Sequence, residues 1–393
     1  MSSNCLDSKS PSSSDALSSS PSCLLTPTSF SSSNDGQGSA SLCTPKQNPI
    51  RHRALENLMR DRVSKSPQLQ IPASPVMARL GYGTGVGVFL LERSPRPNGD
   101  ISSPWAIKKT MRMQEDDEII TARLEYEAET LKKLCHPNII GYRAFGKTTS
   151  PDAAFLALEK ASKSLSDLIE DRVEEVMMIE KCDEEAPFPA SKIEKVAIDV
   201  AKALAYLHDE VKMVHGDVKS ANVLVFGDFE TIKICDFGVA RKLNQKGEVE
   251  GNYVGTEIWN AMEVITVKRG GEKKFPITHK ADMYPFGLTV FEMISLKPPH
   301  LSSAEDSYLE TSQTDNSTAG DDSVVEVEPS FDEEAYELAL SRYIGTRPLL
   351  PDIDFDSSYN HILGVFYCCT DEDPTKRPDA KDVVAALEID AQK

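Results

Sequence analysis

The sequence predicts an α+β fold of two lobes, a small β-rich one followed by a larger helical one. Three observations predict it. From about Val76, short apolar runs broken by glycine turns read as strands, with one helical stretch set among them. From about Ala161 onward, apolar residues recur mainly at helical spacing. Within that second half, polar residues stand in a regular pattern around two short apolar strands, "VLVF" and "IKIC", where burial gives no reason for them.

Taken in order, residues 1–70 come first and read as a disordered Ser/Pro-rich tail. Blocks such as "SPSSSDALSSSPS" offer too little apolar surface to offset the entropy of ordering. Pairs with proline at Ser10, Thr26, Thr44, Ser66 and Ser74 fit an upstream proline-directed kinase, such as a cyclin-dependent kinase; chance in such a composition is the alternative. Inside the tail, Ile50 to Val63 places Leu55, Leu58, Met59 and Val63 at helical spacing among arginines. It reads either as a docking helix for an acidic partner or as a transient, solvated one.

The folded domain is expected over residues 76–387, with a first lobe at 76–160 and a second at 161–387. "ARLGYGTGVGVFLLERS" reads as a glycine hairpin and "SPWAIKKT" as a short strand. The stretch "DEIITARLEYEAETLKKL" reads as a helix with acids at its start and Lys132 and Lys133 at its end, as the helix dipole favours. Strands follow near "GYRAFGK" and "AAFLALE". In the second lobe, Ile193, Val196, Ala197, Val200, Leu204 and Leu207 form one stripe of a half-buried helix. "SYNHILGVFYCCTDEDPTKRPDAKDVVAALE" is helical on both sides of a Pro-marked turn. Residues 301–334 hold eleven Asp and Glu and no Lys or Arg, so a mobile acidic insertion is expected there.

With 393 residues, 40% of them hydrophobic, the chain can bury a substantial core. Its net charge of -19 opposes direct nucleic-acid or membrane-surface binding and favours basic protein partners. Eight cysteines without a C-x-x-C pair suggest reduced thiols rather than zinc or disulfides. No basic-then-apolar leader and no membrane-length apolar run is present, so a cytoplasmic and nuclear location is expected.

The chemistry rests on separate elements that suit one nucleotide. "LGYGTGVGV" keeps Gly81, Gly83 and Val88 at the spacing of a phosphate-covering hairpin, with Val86 where a third glycine would stand. By itself that is a weak signal. Lys108 of "WAIK" supplies an ammonium for phosphate oxygens, with Lys109 as a rival, and Glu127 is placed to orient it. In "HGDVKSANV", Asp217 suits a base for a hydroxyl proton and Lys219 a cation for the transferring phosphoryl group. Asn222 and Asp236 provide the amide and carboxylate oxygens that Mg²⁺ prefers. Cys235, beside Asp236, reads either as a thiol open to electrophiles or as a buried, inert one.

These motifs resemble the eukaryotic protein kinases, and the resemblance spans about four-fifths of the chain, from Val76 to Leu387. "GTEIWNAME" is similar to the G-T-x-x-x-x-A-P-E segment, with Met262 in place of proline. Asp282 resembles the buried aspartate that ties down the catalytic loop, and Arg377 the arginine that pairs with Glu263. The resemblance implies ATP and Mg²⁺, a hinge at Glu159 to Ala161, and Leu158 as gatekeeper. It implies a nucleotide lying against Leu80, Gly81, Gly83, Val88, Ala106, Lys108, Glu159, Ala161 and Leu224. Lysine at 219 is the serine/threonine-type choice.

"IPASPVMARLGYGTGV" and "GDFETIKICDFGVA" are similar to the PDZ-binding family of mitogen-activated protein kinase kinase-like enzymes. That likeness implies roles in mitosis and, as substrates, a p38-type mitogen-activated kinase and histone H3. The ending "LEIDAQK" lacks the hydroxyl and apolar terminus of a PDZ ligand, so no C-terminal PDZ ligand is expected. The other reading of the chain is a pseudokinase scaffold acting through nucleotide binding and its tail; the full set of catalytic residues opposes it.

One residue departs from the pattern. Gly216 stands where most kinases carry an arginine that grips a phosphate on the activation loop. From Val239 through Asn252 the loop has no Ser, Thr or Tyr, and its first acceptors are Tyr253 and Thr256. Receiver and phosphate site are missing together, which predicts a live enzyme under different control, with Glu248 and Glu250 as candidate fixed charges.

Overall fold

Alternation along the first strands decides what they bury. Phe89 and Ile107 are paired across β2 (Val86–Leu91) and β3 (Trp105–Thr110), and with Phe155 and Ala157 they form a small core on one sheet face. The opposite face carries Val88, Ala106 and Lys108, paired in register with Leu158 and Leu156 of β5 (Ala154–Glu159). With β1 (Arg79–Gly83) and β4 (Tyr142–Lys147) the antiparallel sheet has the order β1-β2-β3-β5-β4. The structure is a computed structural model describing residues 78–83, 86–93, 103–111, 117–147, 154–178, 187–272, 274–305, 307–308 and 332–390. The expected tail with its proline-directed sites, the Ile50–Val63 segment and residues 391–393 lie outside the described residues.

Helix α1 (Asp117–Leu131) packs on the second face of that sheet. It buries Leu124, Glu127, Ala128 and Leu131, spaced three and four apart. Glu127 therefore rides on an apolar stripe and is carried inward with it. The helix ends one residue before Lys132, so Lys132 and Lys133 lie in the turn beyond it rather than in its last turn. There the Lys132 amide still donates to Ala128.

The second lobe is built around buried helices. Helix α2 (Leu165–Met178) follows the two-residue strand β6 (Lys163–Ser164). In α3 (Ala190–Ala205) the stripe read from the sequence is buried, with Ile193 and Leu204 at 0% exposure. Such side chains contribute ~2 kcal/mol each in transfer free energy. The chain continues through a wide turn, Tyr206–Val211, and stops at Lys212 in the left-handed region. After β7 (Met213–Val214), strands β8 (Val223–Phe226) and β9 (Thr231–Ile234) form a hairpin, and β10 (Arg241–Lys242) returns to pair with β7. Helix α4 (Met262–Lys268) precedes α5 (Lys280–Ser295), in which every residue from Ala281 to Ser295 is buried. Helices α6 (Glu333–Tyr343), α7 (Asn360–Cys369) and α8 (Ala380–Asp390) complete the lobe. None of the described helices is long and apolar enough to cross a membrane.

Both ends of the stretch expected as a mobile acidic insertion, residues 301–334, are ordered in the described residues. Residues 301–305 are helical and Ala304 is fully buried. At the far end Asp332 caps α6, its carboxylate accepting from the Ala335 amide at 3.1 Å, and Glu333 and Glu334 occupy the first turn. Acids there meet unpaired amides and the positive end of the helix dipole, so the same residues that suggest disorder also start a helix. The stretch 309–331 lies outside the described residues.

Candidate active site

Lys108 is where the site begins. Its ammonium lies 2.8 Å from Glu127 Oε2 and 3.0 Å from Asp236 Oδ1. Burial alone would lower the Lys108 pKa, but the Glu127 and Asp236 carboxylates outweigh it and raise it above its ordinary value. Glu127 is 1% exposed, and burial lifts its pKa to about 6 against the pull of Lys108. Burial opposes ionisation of Asp236 too, yet Lys108 and then Arg123 hold it well below the usual carboxylate range. Lys109 projects from the other face of β3, so alternation separates the two lysines of "WAIKK".

The β8–β9 hairpin brings Asn222 and Asp236 to one end of the same two strands. Val223 pairs with Ile234, and the Cys235 amide donates to the Asn222 carbonyl at 2.9 Å. Asn222 spends its amide nitrogen on Asp217, donating to the carbonyl at 2.8 Å and to Oδ2 at 3.1 Å. This leaves Asn222 Oδ1 as the atom available to a cation. Asp236 has φ +66°, a left-handed conformation that an aspartate tolerates and that turns its carboxylate toward Lys108. One carboxylate and one amide oxygen beside a lysine make a donor set that fits Mg²⁺ bound through nucleotide phosphates.

Asp217 is 8% exposed and held from several sides. Thr256 donates to its Oδ1 at 2.7 Å, and Lys219 lies 3.0 Å from its Oδ2 while also donating to Thr256 at 2.6 Å. The loop that carries it hangs from Asp282, at 0% exposure. Asp282 Oδ2 accepts from the His215 amide at 2.7 Å and His208 Nε2 at 2.9 Å, and Oδ1 from the Gly216 amide at 3.0 Å. Although burial resists it, these donors and His215 lower the Asp282 pKa. His215 in turn donates from Nε2 to the Cys235 carbonyl and sets its ring edge on Phe237, centroids 4.9 Å apart.

The remaining sequence-predicted residues lie in the first sheet, where it leads into the second lobe, and in the β8–β9 hairpin. Gly81 pairs with Val88 and Gly83 with Val86, closing the hairpin; Thr84 and Gly85 lie outside the described residues. A Cβ at Gly81 would meet nothing within 4 Å, so the backbone is open on that side. Leu80 is 41% exposed and open to solvent. Ala106 lies between Leu90 and Leu158 in the sheet, while Leu224 pairs with Ser164 and Lys233 below. Glu159 and Ala161 sit where β5 leaves the sheet for the second lobe. The Glu159 side chain is already engaged, accepting from the Gly141 amide at 2.8 Å, Lys233 at 2.5 Å and Arg143 at 3.2 Å. Its carboxylate clamps the connection, and its backbone amide donates to the Gly141 carbonyl at 2.9 Å, so neither is left for a nucleotide. Cys235 is half-buried rather than buried, and desolvation raises its pKa, which disfavours the reactive thiolate.

One residue is missing from the sequence reading, and another enters it only as a phosphate acceptor. Glu292, 5% exposed on α5, accepts from Ser220 of the catalytic loop at 2.8 Å and from the Trp259 indole at 3.0 Å, and burial lifts its pKa to about 7. A lone acid in "GLTVFEMISL" is the signal that could have found it, since a carboxylate in so apolar a helix needs partners. Tyr253, 4% exposed, places its hydroxyl 3.1 Å from Asp282 Oδ1 and 3.3 Å from the Ala281 carbonyl oxygen. Further out, Arg377 and Glu263 form a two-pronged pair at 2.7 and 3.0 Å, as the sequence resemblance implies.

The comparisons with known proteins agree with this geometry. The protein kinase domain profile matches residues 77–386. The chain is 43% identical over 330 residues to the lymphokine-activated killer T-cell-originated protein kinase of Homo sapiens, covering 83% of this chain and 92% of that protein. It is 34% identical over 203 residues to the serine/threonine-protein kinase pakF of Dictyostelium discoideum, covering 51% of this chain and 15% of that one. With mitogen-activated protein kinase kinase kinase 3 of Arabidopsis thaliana it shares 30% over 223 residues, 56% of this chain and 32% of the relative. The last two likenesses are therefore to a kinase domain within longer chains. Together with the two-lobed α+β fold, they show that the chain belongs to the protein kinase domain family and is a protein kinase.

Proposed function

We propose that this kinase transfers the γ-phosphoryl group of ATP, as the magnesium complex, to serine and threonine hydroxyls of protein substrates, in the manner of the mitogen-activated protein kinase kinase-like enzymes. One observation carries the reading. Lys108 touches both Glu127 and Asp236 within 3.0 Å, so the phosphate-holding cation and the metal-holding carboxylate share one place with α1 closed upon them. Lys108 holds phosphate oxygens and Glu127 fixes the lysine's direction. Asn222 and Asp236 hold magnesium, which when bound neutralises phosphate charge. Asp217 takes the substrate hydroxyl proton, its carboxylate kept in orientation by Thr256 and Lys219. Lys219 offsets charge on the transferring group.

Radiolabelled phosphate transfer from ATP to casein or histone H3 tests this. Asp217→Asn is expected to lower kcat by about a hundredfold or more, the usual weight of a positioned base. A rate unchanged by that substitution refutes the assignment.

For substrates we propose a p38-type mitogen-activated kinase and basic tails of the histone H3 kind, acted on in mitosis, in the cytoplasm and nucleus. A net charge of -19 supports basic partners, and the Ser-Pro and Thr-Pro pairs near the start support an upstream proline-directed kinase such as a cyclin-dependent kinase. Phosphosite mapping after acute inhibition is expected to show loss at sites of these two classes; unchanged occupancy at both removes the proposal.

A further inference from the structure

The activation segment is ordered here by contacts of its own. Its first half folds into a hairpin: the Asn244 amide donates to Glu248, the Glu250 amide to Lys242, and Asn244 Oδ1 accepts from the Glu248 amide at 3.0 Å. The hairpin is fastened at its edges, the Leu243 amide donating to Lys212 and the Val249 amide to Ile277. Neither Glu248 nor Glu250 forms an ion pair among the described residues, so backbone pairing rather than fixed charge does this ordering. Leu243 and Val249 then pack against a cluster of Val214, Val264, Ile277, Ala281 and Tyr253.

Tyr253 is the polar member of that cluster. Its ring is buried among apolar neighbours, and its hydroxyl lies 3.1 Å from Asp282 Oδ1, the oxygen that also receives the Gly216 amide. Asp282 thus accepts four donors, three from the catalytic loop and the helix before it and one from the activation segment. A carboxylate has about four acceptor sites, so the set is full. Burial and the neighbouring carboxylate raise the Tyr253 pKa well above its ordinary value, so the hydroxyl stays protonated and donates.

We propose that Tyr253 is a positioning residue that fastens the activation segment to Asp282, doing permanently what a loop phosphate gripped by an arginine does in other kinases. The tether ends on the carboxylate oxygen that also receives the amide of Gly216, the position at which the arginine is missing. It acts through Asp282 on His215 and Gly216, and so on the placement of Asp217. It also makes Tyr253 a poor phosphorylation site, because the hydroxyl is enclosed and a phosphate would face the Asp282 carboxylate. The proposal rests on the kinase reading above.

The test uses the full chain, treated with phosphatase and shown by mass spectrometry to carry no phosphate, beside Tyr253→Phe, which keeps the ring and removes only the hydroxyl. The variant's kcat is expected to fall about tenfold, the lower end of what a hydrogen bond to a charged acceptor contributes. Its KM for ATP should stay within about twofold, because the nucleotide's own contacts are untouched. Hydrogen exchange of amides 242–250 is expected to quicken. Wild-type kcat and exchange in Tyr253→Phe overturn the tether, as does wild-type activity that vanishes with the phosphate. If the wild type transfers no phosphate at all, the kinase reading fails, and hydrogen exchange decides the tether by itself: unchanged exchange overturns it and quickened exchange upholds it.

Discussion

Gly216 sits at φ +81°, and a Cβ there would come within 2.9 Å of the Val239 carbonyl oxygen. Any other residue at this point carries backbone strain of ~1–3 kcal/mol. An arginine repays that strain only if it has a phosphate to grip. From Val239 through Asn252 there is no hydroxyl to bear one, so glycine is the low-energy choice and its presence does not mark a decayed site. Gly216→Arg is expected to lower unfolding free energy by about 1–2 kcal/mol in denaturant titration, with no gain of phosphate dependence in activity. A variant as stable as wild type would remove the strain argument.

At the scale of elements, α5 is the post on which the catalytic machinery hangs. It presents Asp282 at one end and Glu292 nearer the other, both to the catalytic loop, the first also to Tyr253 of the activation segment and the second to Trp259 beyond it. Glu292 makes that attachment sensitive to pH. Its folded pKa of about 7 lies above the ordinary 4.5, so its contribution to stability is fully present below 4.5 and lost as pH rises through 7. Glu292→Gln keeps acceptance from Ser220 or Trp259 and removes the titration. Wild type is therefore expected to lose on the order of 2 kcal/mol between pH 5 and pH 8 relative to this variant, read by denaturant unfolding at each pH. Parallel pH profiles for the two proteins would contradict it. Helix α1 is attached similarly, Tyr126 donating to the Ala240 carbonyl at 2.7 Å, so the helix carrying Glu127 and the start of the activation segment move together.

In the molecule as a whole, the second lobe is pinned by one buried ion pair joining segments far apart in the chain. Arg377 and Glu263 are 0% and 1% exposed, and Arg377 also donates to the Asp371 and Lys280 carbonyls while stacking 5.2 Å over the Tyr284 ring. A pair so fully satisfied leaves a bare charge behind when either partner is removed. Arg377→Leu is expected to lower stability by ~3–5 kcal/mol, measured as a shift of the denaturant midpoint at unchanged slope. A shift worth under ~1 kcal/mol would show that water or another cation compensates Glu263.

The legible part of the site is the part whose chemistry demands a residue type at a short spacing. Lys108, Asp217, Lys219, Asn222 and Asp236 could be named because the phosphate, metal and proton roles proposed for them leave few alternatives, and α3 because a half-buried helix shows a stripe. Helix α5 shows none: buried on all sides and containing Pro285, it has apolar residues all round, and only Asp282 stood out. Tyr253 and Glu292 reach their partners across 29 and 72 residues, and no local pattern announces such a contact. The acidic run at 301–334 misled at its ends because charge reports on solvation, whereas capping and packing decide whether Asp332 to Glu334 start a helix.

The sequence by itself determined the inventory: which groups can hold phosphate, metal and proton, and that the loop has no phosphate to offer and no arginine to receive one. Only the tertiary structure decided what takes their place, because a buried hydroxyl or carboxylate is defined by the partner that satisfies it. That partner is set by how distant elements pack.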